Sequence, residues 1–481
     1  LPHPPQALTL AATALLCVFV IGAGIAVAQM LPRRLELWDV TRVGAGRVTA
    51  PQAPPGAASG PAAAGATAAG LAAALAPLLG SSSLGGHVGM EISSLATGQV
   101  LWSRHATSGF TPASTTKLAT AVAALHVLGP DTRFTTRVAL AAGEAGGGLI
   151  LVGGGDPTLA AGSPPASDYP RDATLKALAA QAARALRARG TSRVRLGYDT
   201  SLYTGPGMAP GWTRSYVTTG NVTPISSLEI DQGRLTPGGA PQDADVPGNN
   251  MPRTFSPAPE AASAFARFLA ADGIRVTSGP SPQTVPSGAT TVGRVYSPPL
   301  AEIVQQMLQE SNNVIAENLA RHLAIATGHQ ASFSSAASAE TGVLRGLGIT
   351  GVDLVDGSGL SPRDKITPAA LVAIIGRASA TGQSRLRAAI TGLPVAGFSG
   401  TLAPGGSVFA EAGRAALGVV RAKTGNLDTV AALAGIVYAK NGELLSFAVM
   451  ADQLRMGALN QAGAQIARVA TALARCGCRA G

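Results

Sequence analysis

The sequence predicts a mixed α+β fold in which one domain of strands and helices is interrupted by a second folded segment. Three observations carry this. Early on, two strand-like runs, HVGMEIS and QVLWSRH, flank a five-residue turn and precede an apolar helix over residues 114–128. Near the end, runs at 419–424, 430–438 and 444–450 read as three strands, the last two joined at Asn441-Gly442, before a helix over 459–474. Between these halves the texture changes to short strands, loops and amphipathic helices without a repeat, which is the pattern of an insertion.

Taken in order, residues 7–28 form an uncharged, mostly apolar run ending Ala26-Val27-Ala28, long enough to span a bilayer and ending like a cleavage site. Residues 1–33 are therefore expected to be a signal peptide or membrane anchor, implying export to the cell envelope. An Ala/Gly/Pro-rich linker follows over 34–83, its last part able to start a helix. The interrupted domain is expected over 84–132 and 294–475, with an accessory domain over 133–293 and a short tail over 476–481. Within the insertion, 132–140 and 148–152 read as strands, 173–189 as an amphipathic helix, 203–246 as loop and 261–271 as a short helix. Helices return at 299–309, 313–326 and 336–344.

Composition bounds the function. The 481 residues carry a net charge of +10, yet only 13% are charged and 4% aromatic. That excludes a highly charged disordered chain and argues against a base-stacking nucleic-acid binder, so no nucleic-acid partner is expected. Lysine occurs only at Lys117, Lys176, Lys365, Lys423 and Lys440; the basic excess is arginine. Cys17, Cys476 and Cys478 lack zinc-site spacing and the six histidines form no H-E-x-x-H, so neither metal nor cofactor is expected. Cys476 and Cys478 either pair after export or pair with nothing.

Two of the five lysines stand in motifs that occur once. Ser114-Thr115-Thr116-Lys117 opens the first apolar helix, and Lys423-Thr424-Gly425 lies on an apolar strand near the end. Ser311-Asn312-Asn313, the one Ser-x-Asn, lies between them. On a helix, positions i and i+3 share a face, which sets Lys117 beside the Ser114 hydroxyl. A serine hydroxyl is a poor nucleophile until a base takes its proton, and a lysine in an apolar pocket near another cation can serve as that base. Lys423 can supply that cation. The Ser114 and Asn426 backbone N–H groups are candidate oxyanion donors, and Thr424, Gly425 and Asn426 form a strand edge that can align an extended peptide, with Lys423 and Thr424 then placed to hold a terminal carboxylate. No G-x-S-x-G elbow exists, which disfavours an α/β-hydrolase.

At these residues the sequence resembles the penicillin-binding DD-peptidases, specifically the low-molecular-mass class C D-alanyl-D-alanine carboxypeptidase/endopeptidase family. GGGDPTL at 153–159, ESNNVIAENLAR at 310–321, DGSGLSPRDKITP at 356–368, GTL at 400–402 and RAKTGNLDTVAALAGIVYAKNGELLSFAVM share in it. The resemblance implies a β-lactamase/transpeptidase-like catalytic domain with an accessory domain inserted after the S-x-x-K helix. It implies peptidoglycan stem peptides as substrate and β-lactams as covalent inhibitors. Ser114 would be the acylated nucleophile and Lys117 its base. Ser311 would relay protons to the leaving amine, Asn313 contact the substrate amide, and Lys423 and Thr424 hold a terminal carboxylate. Asn426 stands where threonine is common, and only its backbone is expected to matter. Some relatives carry an acidic residue after the tryptophan of the insertion to meet the stem peptide's amino end; Trp212-Thr213-Arg214-Ser215 offers a cation instead.

Plainer readings exist for each feature. Ser311 or Asn313 can be a helix cap, Asp156 a turn residue, and Asp356 and Ser358 structural loop residues near the cleft. Two alternative functions also stand. A β-lactamase of the same fold needs its own deacylation base, and Glu340 is present without being marked out; an idle penicillin-sensing protein would not need Ser114, Lys117 and Lys423 intact.

Overall fold

The computed structural model describes residues 66–141, 148–162, 171–235, 251–404, 408–409 and 414–476. The expected leader, the first part of the tether, Cys17 and Cys478 lie outside the described residues. Cys476 is buried and disulfide-bonded.

The chain begins its described part with a helix, in the last part of the tether, where the sequence allowed one to start. Thr67 caps α1 (Ala68–Leu79) by accepting the Gly70 N–H, and Leu71, Leu75 and Leu79 recur at helical spacing on its buried face. Burying each leucine contributes about 2 kcal/mol, enough to hold an alanine-rich segment on the core. The folded region thus starts before residue 84.

Five antiparallel strands form the central sheet in the order β11-β12-β13-β1-β2. They are β1 (His87–Ser94), β2 (Val100–Arg104), β11 (Val420–Leu427), β12 (Val430–Tyr438) and β13 (Leu444–Asp452). First and last strands of the interrupted domain therefore pair, β1 with β13 from His87↔Asp452 to Ser94↔Leu445. Side chains alternate across the sheet. Ala432, Ala434, Ala448 and Met450 enter the core on one face, and Leu433, Phe447, Val449 and Ala451 that on the other. The second face is covered by α1 and the C-terminal helix Leu459–Arg475.

The first face holds the helices that carry the motifs: α2 (Thr116–Leu128), Leu300–Gln309, Asn313–Ala326 and Pro368–Ser379. Ten residues of α2 are buried, Thr116 to Leu125 without interruption, so it is a central helix rather than a surface one. The sequence reading has no helix at Pro368–Ser379, although Thr367 caps it through the Ala370 N–H and Pro368 occupies its first turn.

Between α2 and Leu300–Gln309 the chain builds a second sheet, β6-β5-β4-β3-β8, with β6 (Arg275–Val276) and β7 (Ser281–Pro282) both on β5, while β9 (Val352–Asp353) and β10 (Lys365–Ile366) form a separate pair. β3 (Thr135–Leu140) pairs antiparallel with β4 (Gly148–Val152) and β8 (Thr290–Tyr296), while β4 and β5 (Arg193–Asp199) run parallel. Helix Leu175–Arg187 makes the crossover between β4 and β5, burying Leu175, Leu178, Ala179, Ala182, Ala183 and Leu186 on one stripe. β8 continues past residue 293, so this sheet extends beyond the expected boundary. The loop-rich stretch from Tyr203 to Leu235 returns to the first domain and reaches its motif residues.

Candidate active site

Ser114 does not stand inside the α-helix, as the spacing suggested, but in a 3₁₀ turn, Ala113–Thr115, that leads into α2. Ala113 has φ +46°, a left-handed conformation that costs an alanine on the order of 1 kcal/mol and persists only when its surroundings demand it. Those surroundings are visible. The Thr111 N–H donates to Asp452 Oδ2 at 2.9 Å, and Lys365 Nζ donates to Thr111 Oγ1 at 2.8 Å. Asp452 also pairs with His87, and Thr115 Oγ1 donates to the Pro112 carbonyl at 2.7 Å. From the other side, a Cβ on Gly359 would overlap the Ala113 carbonyl, so only glycine fits there.

The turn leaves Ser114 partly exposed and Lys117, one turn on, fully buried. Lys117 Nζ donates to Ser114 Oγ at 2.9 Å, Asn313 Oδ1 at 2.6 Å and the Ser358 carbonyl at 2.8 Å. Three segments distant in sequence thus meet on one amine. A buried ammonium needs such acceptors, and they also fix where the nitrogen sits relative to the serine hydroxyl.

Ser-x-Asn is resolved residue by residue. Asn312 is the cap of helix Asn313–Ala326, accepting the Ile315 N–H at 3.2 Å, and its Nδ2 donates to Gln232 Oε1 at 2.7 Å. The capping alternative for Ser311 and Asn313 therefore falls to their neighbour. Asn313 is released to bond Lys117 and, through Nδ2, the Asn221 carbonyl at 3.0 Å. Ser311 is buried with φ +54°, a strained backbone next to the cleft. The structure places it one residue before the cap, and no contact of its hydroxyl joins it directly to Ser114.

The third motif lies on β11. Gly425 meets the Ser114 turn so closely that a Cβ would stand 2.5 Å from the Pro112 carbonyl. Lys423 is fully buried, with Nζ 3.0 Å from the Thr424 carbonyl and 3.5 Å from Thr424 Oγ1. Thr424 Oγ1 lies 3.2 Å from Thr401 Oγ1, so the GTL turn adds a hydroxyl to this corner. Gly400 is tied there by its left-handed φ of +53° and by contact with Gln309, just before Ser311. Pro394 and Ala396 bond the first part of β11, at Ala422 and Val420. Beyond it, Thr424–Leu427 has no second ladder partner among the described residues. Asn426 is exposed on that stretch.

Trp212, Arg214, Asp356, Glu340 and Asp156, all named from the sequence, take their places around this geometry, and the structure adds His322 to them. Trp212 Nε1 donates to Asp356 Oδ2 at 2.7 Å, which joins the inserted segment to the DGSG loop. Arg214 lies over the Phe255 ring, 4.2 Å from its centroid. Glu340 is buried, with Thr120 Oγ1 3.1 Å from Oε1, and burial holds its carboxyl well above the usual range. Asp156 is the turn residue expected, accepting the Thr158 N–H at 2.9 Å, and burial pushes it up to about 6. His322, stacked on Phe134 and bonded to the Gly155 carbonyl, is pushed down to about 4 by burial. Of these residues Asp156 and Asp356 lie inside the quoted familial stretches, and His322 directly follows one of them.

A sheet flanked by helices, with Ser, Lys and Asn converging beside its edge strand, is the architecture of a serine acyl-transfer enzyme. The fold matches that of penicillin binding protein 4 from Haemophilus influenzae with a TM-score of 0.65 at 22% identity, covering 82% of this chain and 98% of that one. Carboxypeptidase DacB of Mycolicibacterium smegmatis is 39% identical over 84% of both chains. A carboxypeptidase of Mycobacterium tuberculosis is 35% identical over 82% of this chain and 81% of its own. The pattern of the D-Ala-D-Ala carboxypeptidase 3 (S13) family matches residues 71–247 and 234–473. The chain belongs to that family and is a serine-type D-Ala-D-Ala carboxypeptidase.

Proposed function

We propose that this enzyme trims peptidoglycan stem peptides in the cell envelope through an acyl-enzyme on Ser114. The observation that carries the reading is the 2.9 Å approach of Lys117 Nζ to Ser114 Oγ. Lys117, as the free amine, takes the hydroxyl proton while Oγ attacks the carbonyl carbon of the penultimate D-Ala. The oxyanion is received by the Ser114 and Asn426 N–H groups. As the C–N bond breaks, the proton passes through Ser311 to the departing amine, leaving an ester on Ser114 that water hydrolyses. Asn313 holds Lys117 and meets the substrate amide. The open edge at Thr424–Leu427 adds the peptide as a further strand, with Lys423 and Thr424 binding its terminal carboxylate.

The same chemistry opens a β-lactam ring, and no leaving group then departs, so the ester persists. It also cleaves a cross-link if the cleft accepts a longer leaving peptide. A β-lactamase reading has little to rest on, since Glu340 is buried behind α2 on Thr120.

A fluorescent penicillin, offered to wild type and Ser114→Ala, tests the proposal together with D-Ala release from a pentapeptide and cleavage of a cross-linked dimer. Labelling and D-Ala release are both expected to vanish in the variant. Equal labelling of the two proteins overturns the mechanism, and rapid drug turnover by wild type overturns the peptidase reading in favour of a β-lactamase.

A further inference from the structure

Lys117 is held by one bond that no motif explains, the one to the Ser358 carbonyl at 2.8 Å. A carbonyl in a loop points where its peptide is fixed, so the question is what fixes Gly357 and Ser358. The Ser358 N–H donates to Glu317 Oε1 at 2.8 Å, and the Gly357 N–H reaches both Glu317 oxygens at 3.2 Å. The Gly357 carbonyl accepts from Thr120 Oγ1 at 2.6 Å. A Cβ on Gly357 would stand 2.8 Å from that of Ala320, so the loop lies against the helix with no space between. Three of the dipeptide's four backbone groups are thus engaged, and the fourth, the Ser358 carbonyl, is left facing Lys117.

Glu317 lies one helical turn after Asn313. The two share a face and reach the same amine by different routes, Asn313 directly and Glu317 through the loop. From this geometry we infer that Glu317 is a positioning residue for the reaction: its carboxyl clamps the Gly357–Ser358 peptide so that the Ser358 carbonyl holds Lys117 Nζ against Ser114. The inference rests on Lys117 being the base. Burial, and the neighbouring charge of Asp356, push the Glu317 carboxyl upward, outweighing the hydrogen bonds from Ser358 and Gly357 and the charge of Arg321, which oppose them. What the clamp needs is therefore an acceptor oxygen rather than a negative charge, and glutamine supplies one.

The test is penicillin acylation, separated into the dissociation constant of the first complex and the rate constant of the covalent step. Glu317→Gln is expected to keep the covalent rate within about threefold of wild type. Glu317→Leu, which takes the acceptor from the Gly357 N–H and leaves the Ser358 N–H only Asp356 Oδ1 at 3.1 Å, is expected to lose about 30-fold or more in that rate while the dissociation constant changes less than about threefold. Thr120→Val releases the same peptide from the other side and provides a second reading should Glu317→Leu fail to fold; it is expected to slow the covalent step in the same manner. A wild-type covalent rate in either folded variant overturns the inference, as does an equal loss in Glu317→Gln and Glu317→Leu. Labelling of Ser114→Ala in the same assay would instead overturn the acyl-enzyme reading, so the two failures are distinct.

Discussion

Asn313 Oδ1 and Lys117 Nζ, 196 residues apart in sequence, meet at 2.6 Å in the interior of the catalytic domain. Lys117 is wholly buried, and this bond is shorter than its 2.9 Å bond to Ser114 Oγ. An amide oxygen can hold the lysine in place whether or not the lysine is charged, which a carboxylate cannot do without favouring the cation. The pair therefore suits the proposed role of Lys117, an amine that gives up and regains a proton.

Lys117→Met fills the same volume without a base. We expect D-Ala release and penicillin acylation to fall by a factor of about 10³, within the range for losing a general base. Thermal unfolding of the variant, followed in parallel, should show a folded protein, because the substitution replaces a buried amine by an apolar side chain.

Adjacent asparagines should separate by function. Asn313→Ala is expected to lower the acylation rate by about 10²-fold, since it removes a direct partner of Lys117. Asn312→Ala removes the helix cap and should cost about 1 kcal/mol of stability. Denaturant unfolding and acylation kinetics on both variants check this, and the prediction fails if the larger kinetic loss belongs to Asn312.

Carboxylate recognition can be read from substrate pairs. Thr424→Val removes the hydroxyl that lies 3.2 Å from Thr401 Oγ1. It should raise KM for a peptide ending in a free D-Ala carboxylate by about tenfold, the loss of one charge-assisted hydrogen bond. For the same peptide as a C-terminal amide, the variant and wild type should differ little.

Stability should fall on the alkaline side. Glu229 is buried, its Oε1 accepts from Asn318 Nδ2 at 3.0 Å, and burial pushes its carboxyl up to about 8. An acid whose value rises on folding favours the fold fully below its unfolded value, and that contribution is lost as pH climbs through the folded value. The window therefore runs from about pH 4.5 to about 8. At about 1.4 kcal/mol per unit, the loss amounts to about 3–5 kcal/mol. Tm measured from pH 5 to 9 should drop less steeply in Glu229→Gln than in wild type.

On the acid side His322 works in the opposite sense. Its folded value, about 4, lies below the ordinary 6.5, so its contribution is present above 6.5 and lost as pH falls toward 4. His322→Phe keeps the stack on Phe134 and should flatten the acid limb of the same Tm curve.

Legibility in the sequence followed how local each signal was. β12 and helix Asn313–Ala326 have the bounds their residue patterns predict, because an apolar strand and an amphipathic helix carry their period within themselves. β5 and β8 were not anticipated. β8 follows a Pro/Ser/Gly-rich stretch and contains Gly293, which fits against Leu178 and Gln181 of the crossover helix; its burial is supplied by that neighbour. Helix α1 was likewise underweighted, since three leucines in an alanine-rich tether become a face only when a core is there to receive them.

The sequence by itself determined the chemistry on offer. Its spacing put Ser114 and Lys117 one turn apart, and its single Ser-x-Asn and Lys-Thr-Gly motifs named the other walls, because such spacings act over a few residues of backbone. Only the tertiary structure decided how they work together. It put Ser114 in a strained 3₁₀ turn, gave the cap to Asn312 so that Asn313 was freed for Lys117, and brought Ser358, Glu317 and Thr401 to the site. Those choices depend on contacts between segments tens to hundreds of residues apart, and close packing, rather than any local pattern, sets which of them can coexist.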